Sequence, residues 1–246
     1  STYNLADAVK FHRRLNPRIW GRDEHLLPEV RDRLLAIAAD FQEFLGVPDL
    51  DVKDITVSGS NAAYSYTKNS DIDLHLVVEV PADPVYQELF AAKKYEYNDQ
   101  HNIKIGGADV ELYVQDADQP HASAGVYSVM KDKWIRFPRR RKADIDDNNV
   151  REKFNNMRER INQAILSDDI DRIEAVWSDL KNMRKTGLAR EGEFSPENLA
   201  FKILRADGTL DKLRKHMGHL EDQGLSIDEE AEPPEPTRSE VYLDMD

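Results

Sequence analysis

Apolar residues recur along this chain with two different periods. Val30, Leu34, Leu35, Ile37, Ala38, Phe41 and Leu45 fall on one stripe of a 3.6-residue repeat that begins at Pro28 and ends at Gly46 and Pro48. This predicts an amphipathic helix over 28–45. Residues 84–98 predict a second helix, with Val85, Leu89, Phe90 and Tyr95 as expected core positions. From about residue 147 the helical period dominates. Val150, Phe154, Met157, Ile161 and Ile165 form one stripe, and Ile170, Ile173, Val176, Trp177, Leu180 and Met183 form the next. Ser195 reads as an N-cap with Pro196 at the first helical position. Leu199, Phe201, Ile203 and Leu204 fill that helix, and Leu210, Leu213 and Met217 mark another. Residues 5–15 predict a short basic helix.

Between these helices the period is two. The run Ile55 to Ser58 ends in Gly59-Ser60, and a new strand opens at Asp71-Ile72-Asp73-Leu74 and continues through Leu76, Val77 and Val78. Ile103 to Ile105 and Val110 to Val114 flank Gly106-Gly107, a hairpin signal. Val126–Met130 and Trp134–Phe137 read as short strands. The pattern as a whole predicts an α+β fold, a mixed sheet flanked by helices and followed by a C-terminal helical domain. The expected divisions are an N-terminal arm at 1–27, a core at 28–142, helices at 143–220 and an acidic tail at 221–246.

Composition narrows the classes. There is no cysteine, so disulfides and thiolate metal sites are excluded. No apolar run approaches a membrane span and the first 20 residues lack a signal-peptide pattern, so the expected location is the cytoplasm, away from membranes. The net charge of −13 is unevenly placed, because residues 221–246 carry ten acids and one arginine. That tail, with Pro233, Pro234 and Pro236 and no periodicity, is expected to be disordered.

Alternate residues on a strand share a face. Asp71 and Asp73 therefore project together, with Ile72 and Leu74 turned into the core. Adjacent carboxylates repel, and a cation between them relieves the repulsion. Asp-Ile-Asp also occurs at 144–146 and 169–171, but there it opens helical patterns, where acids complement the helix dipole. Only the first copy follows a strand and a Gly-Ser turn. With Val110, Leu112 and Val114 facing the core, Glu111 joins Asp71 and Asp73, while Asp109 takes its place if the register shifts by two. His75 alternates onto the same face. Lys68 and Asn69 lie in the intervening loop, within reach of an anion bound at the Gly-Ser turn. Tyr64, Tyr66 and Tyr113 lie nearby and read equally well as stacking or as packing residues. Arg136, Arg139, Arg140, Arg141 and Lys142 form a basic run that reads as an exposed linker or as a phosphate contact. His216 and His219 have a helical metal-pair spacing but no third ligand.

Gly59, Ser60, Asp71, Asp73 and Glu111, in this order and context, resemble the core motif of the DNA polymerase beta-like nucleotidyltransferase superfamily. The resemblance covers about residues 50–115. The segment Gly192 to Leu199 is loosely similar to phage and bacterial nucleotidyltransferases. The resemblance implies that Asp71, Asp73 and Glu111 hold two Mg²⁺ ions, with Mn²⁺ as a substitute. It implies that Gly59 and Ser60 cradle a nucleoside triphosphate, with Lys68, Asn69 and His75 as further substrate contacts. The implied reaction is template-independent transfer of a nucleoside monophosphate to a hydroxyl of RNA, another nucleotide, a small molecule or a protein. Two alternatives remain at this level. One is synthesis of oligonucleotide signals or protein adenylylation in phage defence or toxin–antitoxin systems. The other is a nucleotide- or RNA-binding module without catalysis, which has no need of a costly carboxylate cluster.

Overall fold

A computed structural model describes residues 2–121, 123–139 and 144–227. The order of elements is α1 (Pro28–Leu45), β1 (Val52–Ser58), β2 (Ile72–Val78), α2 (Val85–Gln100), β3 (Lys104–Ile105), β4 (Ala108–Asp116), β5 (Val126–Ser128), β6 (Lys133–Arg136), α3 (Asp147–Ser167), α4 (Ile170–Glu191), α5 (Pro196–Ala206) and α6 (Thr209–Leu225). The fold is α+β. The six strands form one mixed sheet in the order β3-β4-β2-β1-β5-β6. Only β2 and β4 run parallel. A parallel pair needs a crossover, and α2 supplies it. β4 extends far past the short β3, and Asn98 of α2 covers that free edge. Its side chain both donates to the Leu112 carbonyl and accepts from the Leu112 N–H, each at 2.9 Å.

Two apolar clusters organise the chain. The first packs α1 and α2 on the sheet, with Leu34, Phe41, Ile72, Leu74, Leu112 and Tyr97 fully buried. The second lies among α3, α4, α5 and α6, around Phe154, Ile161, Leu180 and Leu204. Capping sets the helix starts as expected. Asp146 accepts from Asn149 N–H, Asp169 from Asp171 and Arg172 N–H, and Ser195 from Asn198 N–H. The two later Asp-Ile-Asp copies are therefore helix caps.

Three expectations change. Residues 5–15 form only a three-residue 3₁₀ turn, Leu5–Asp7, and the rest of the arm runs without regular structure. In α2, Val85 and Tyr95 are exposed, at 57% and 65%, and Tyr97 is the buried ring. Its hydroxyl donates to Asp40 at 2.6 Å, and its ring packs on Phe41 and Phe44 of α1. Finally, α6 continues to Leu225, into the segment expected to be tail. Residues 228–246 lie outside the described residues, as do Arg140, Arg141 and Lys142. Among the described residues no helix is long and apolar enough to cross a membrane.

The N-terminal arm joins the two clusters. Ala8 and Val9 are buried in the helical one, whereas Leu15, Ile19, Trp20 and Leu26 are buried in the sheet one. Core burial makes a direct prediction. Phe154→Ala is expected to lower the unfolding free energy by about 3–5 kcal/mol, whereas Leu166→Ala, at an 83% exposed position of the same helix, changes it by less than about 0.5 kcal/mol. Urea unfolding of the two variants checks this.

Candidate active site

β1 ends at Ser58 and the chain turns sharply through Gly59, whose φ of 84° lies in the left-handed region. A Cβ at Gly59 would collide with the Asp73 carboxylate. Glycine is therefore required twice here, for the backbone angle and for the space. A 3₁₀ turn, Ser60–Ala62, follows. Asn61 is buried and holds the loop closed, donating to the carbonyls of Ser70 at 2.8 Å and Asp71 at 3.1 Å. Ser60 Oγ donates to Ser70 Oγ at 2.6 Å, and Ser70 Oγ also accepts from Thr67 N–H at 2.8 Å.

The alternation expected of β2 is present. Ile72, Leu74 and Leu76 are buried on one side, while Asp73 and His75 face the other. In the parallel pairing Asp73 sits opposite Glu111, and in the antiparallel pairing it sits opposite Ser58. Asp71 lies just before β2. Asp71, Asp73 and Glu111 all line one cleft of about 610 Å³, as do Gly59, Ser60, Lys68 and Asn69. Asp109 also reaches this cleft but is engaged by Lys104 across the hairpin. The register thus gives Glu111 the place beside Asp73.

The far wall comes from the helical cluster. Arg184 of α4 and Lys202 and Arg205 of α5 line the same cleft. The end of α4 and the start of α5 are held tightly together. Gly187 of α4 allows Ser195 and Glu197 within 2.8 Å of where a Cβ would stand. Arg190 bonds both oxygens of Glu197, at 2.8 and 3.0 Å, and Arg184 Nε donates to Asn198 at 3.0 Å. These three cations did not emerge from periodicity. The available signal was Lys202, a lone charge inside the apolar run Leu199 to Leu204.

The electrostatics follow from this layout. Burial, then the neighbouring Glu111, pushes the Asp71 carboxyl up to about 6. Burial, then Glu111 and Asp71, pushes Asp73 up to about 7, with Lys202 and Arg205 opposing. Burial lowers Lys202, with Arg205 and Arg184 adding to the fall and Glu193 and Asp73 opposing it. Tyr113 donates to Glu111 Oε2 at 2.6 Å, and burial raises its own pKa.

The remaining expected residues divide. Lys68 and Asn69 stand at the cleft rim, tied to Asp7 of the arm by a 3.7 Å ion pair and a 3.3 Å bond to its carbonyl. His75 does not line the cleft. It lies behind it, with Nε2 3.0 Å from Ser58 Oγ and its ring stacked on Tyr113. Burial lowers it to about 4, so it is neutral at pH 7 and serves as packing for Tyr113 and Glu111. Tyr64 is buried and bonds Glu24, and Tyr66 stacks on His12. Arg136 is spent on the carbonyls of His121 and Ser123. His216 bonds Asp168 at 2.8 Å, which gives it a structural partner in place of a metal.

Among the described residues no group of three or more acidic, histidine or cysteine side chains is placed to hold a metal ion. The three acids instead offer hard oxygens along one wall of an open cleft. Magnesium commonly binds in that way, through one or two carboxylates plus substrate phosphates and retained waters.

The raised carboxyl pKa values fix a pH dependence. A carboxyl raised on folding stabilises the folded state fully below about pH 4, and that contribution is lost as pH climbs through the folded values near 6 and 7. Asp73→Asn removes the Asp73 part of that loss. Without divalent cations the variant should match the parent near pH 4 and exceed it by about 2–4 kcal/mol at pH 8. Thermal melts across pH measure the difference, and a parent more stable at pH 8 would refute it.

No protein-family model, no curated protein and no solved structure matches this chain. The functional reading accordingly rests on the cleft itself.

Proposed function

We propose that the chain is a template-independent nucleotidyltransferase with a nucleotidyltransferase-type core, transferring a nucleoside monophosphate from a nucleoside triphosphate to a hydroxyl and releasing pyrophosphate. One observation carries the reading. Asp73 is registered beside Glu111, with Asp71 two residues before Asp73 along the chain, at the foot of the Gly59 turn and across a cleft from Arg184, Lys202 and Arg205.

Asp71, Asp73 and Glu111 would hold two Mg²⁺ ions, or Mn²⁺, which when bound acidify the attacking hydroxyl and neutralise charge on the leaving pyrophosphate. The chain's own groups supply the rest. Gly59 leaves its backbone bare for close approach of a phosphate. Ser60 reaches a phosphate oxygen by rotating its proton away from Ser70. Lys202 and Arg184 meet the triphosphate from the helical wall, and Arg205 stands at the exposed end. Tyr113 fixes one oxygen of Glu111, which leaves the other to receive the proton of the acceptor hydroxyl. The acceptor oxygen then forms its bond to the α-phosphorus as the α–β bridging bond breaks.

The test is pyrophosphate release from each ribo- and deoxyribonucleoside triphosphate with Mg²⁺, with and without RNA. Asp71→Asn, Asp73→Asn and Glu111→Gln are each expected to cut turnover by about 10²–10⁴-fold. Lys202→Ala should raise KM for the triphosphate by about tenfold. Tight nucleotide binding with no release under any condition would mark a binding module and overturn the proposal.

A further inference from the structure

We infer that a second groove beside the cleft is the seat of a single-stranded nucleic acid, and that this strand is the acceptor. The word acceptor rests on the nucleotidyl-transfer reading, whereas the groove's ligand chemistry stands without it. The groove, of about 470 Å³, lies between the N-terminal arm, the loop after Tyr66 and the β3–β4 turn. It shares Asp7, Lys68, Ser70 and Gly107 with the cleft, so the two lie side by side.

Three cations line it: Lys10, Arg18 and Lys68. Its one acid, Asp7, is already met by Lys68 at 3.7 Å and by Asn4 at 3.5 Å. Lys10 and Arg18 have no carboxylate partner among the described residues. In a chain of net charge −13, which has acids to spare, unpaired cations along one groove suit an anion from outside.

Arg18 is built into place. Gly106 and Gly107 both have positive φ, and their turn lies flush on its stem. A Cβ at Gly106 would stand 2.8 Å from Arg18 Cβ, and one at Gly107 3.1 Å from its Nη1. Nη1 donates to the Gly106 carbonyl at 3.3 Å, leaving four guanidinium N–H groups for phosphate. The same hairpin carries Glu111 on its second strand.

A flat aromatic step completes the groove. The rings of His12 and Tyr66 stack at 3.8 Å with 7° between their planes, and His12 Nε2 is fixed at 2.9 Å from the Tyr66 carbonyl. Cations spaced around a ring step suit a backbone with unpaired bases, which have free faces to stack. A duplex offers no such faces along its length.

Fluorescence anisotropy of the full chain with labelled 12-nucleotide RNA and DNA strands of one mixed sequence tests this. Lys10→Glu with Arg18→Glu should weaken binding by at least about tenfold, and should flatten the log–log salt slope by about 1.4, two phosphate contacts at single-strand weight. Lys212→Glu with Arg214→Glu on α6, the same charge change elsewhere, should leave binding within about twofold. Tyr66→Leu should weaken binding with the salt slope kept, and Asp73→Asn should leave binding undiminished. Lys10→Ala, at an exposed position, guards against misfolding of the double variant and should still shift the slope by about 0.7. Preference for RNA or for DNA supports the inference equally and names the sugar. Absence of binding, or equal loss in the α6 variant, overturns it. Strand binding without pyrophosphate release from any triphosphate sinks the transferase reading alone. Release onto a small acceptor without strand binding sinks the groove alone.

Discussion

Repulsion among Asp71, Asp73 and Glu111 is the constraint around which the structure is arranged. Three half-buried carboxylates on one wall lower their energy by separating or by taking up protons. Separation is prevented by the register of β2 on β4, which is locked from the opposite face by Ile72, Leu74 and Leu112, each almost completely buried. Sliding either strand by one residue would turn its acid into that apolar layer and its apolar residues outward. The ladder holds the acids together, and the carboxyls of Asp71 and Asp73 are raised by burial and, after it, by that repulsion. A cationic ligand, or the helical wall of Lys202 and Arg205, relieves it. Holding these acids together costs stability locally wherever they are ionised.

The two walls belong to different apolar clusters, so the cleft depends on what holds those clusters together. The N-terminal arm does this with specific contacts at both ends. Tyr3 packs on Phe154 and donates to Asp147 at 2.6 Å, which fixes the arm to α3. Further on, Trp20 Nε1 donates to the Asn61 carbonyl at 2.7 Å, and Asn16 donates to the Asn61 side chain at 3.0 Å. Asn61 in turn grips the carbonyls of Ser70 and Asp71. The arm thus reaches the first carboxylate through one buried amide, and the segment that lines the proposed strand groove also shapes the site.

The parts legible in the sequence were those whose side chains repeat. A period of two placed Asp73 opposite Ile72 and Leu74, and the same phase on β4 put Glu111 and Asp109 on its face, between which the strand register chose Glu111. The α1 stripe was complete because one face of that helix packs on the sheet and α2. The misses share a cause, which is that tertiary partners decide among locally equivalent residues. Tyr95 and Tyr97 are both apolar rings near the end of α2, two residues and about 200° apart on the helix. Asp40, Phe41 and Phe44 lie under only one of them, and nothing within α2 says which. The arm has no period at all, since its buried residues answer to two different clusters. Arg184, Lys202 and Arg205 sit on helices whose apolar stripes identified the core face but not the charges beside it.

Net charge illustrates the same lesson at longer range. A total of −13 argues against a polyanionic partner if the molecule is treated as a single point. At physiological ionic strength, however, exposed charges are screened beyond about 8 Å, so a phosphate in the groove responds to Lys10, Arg18 and Lys68 far more than to acids on a distant surface. The acids of the cleft wall act over the same short range and repel a strand end unless cations cover them. An acceptor strand drawn in by the groove would therefore reach Glu111 productively only after the carboxylates are neutralised. On the proposed reading, metal and triphosphate would therefore precede the acceptor.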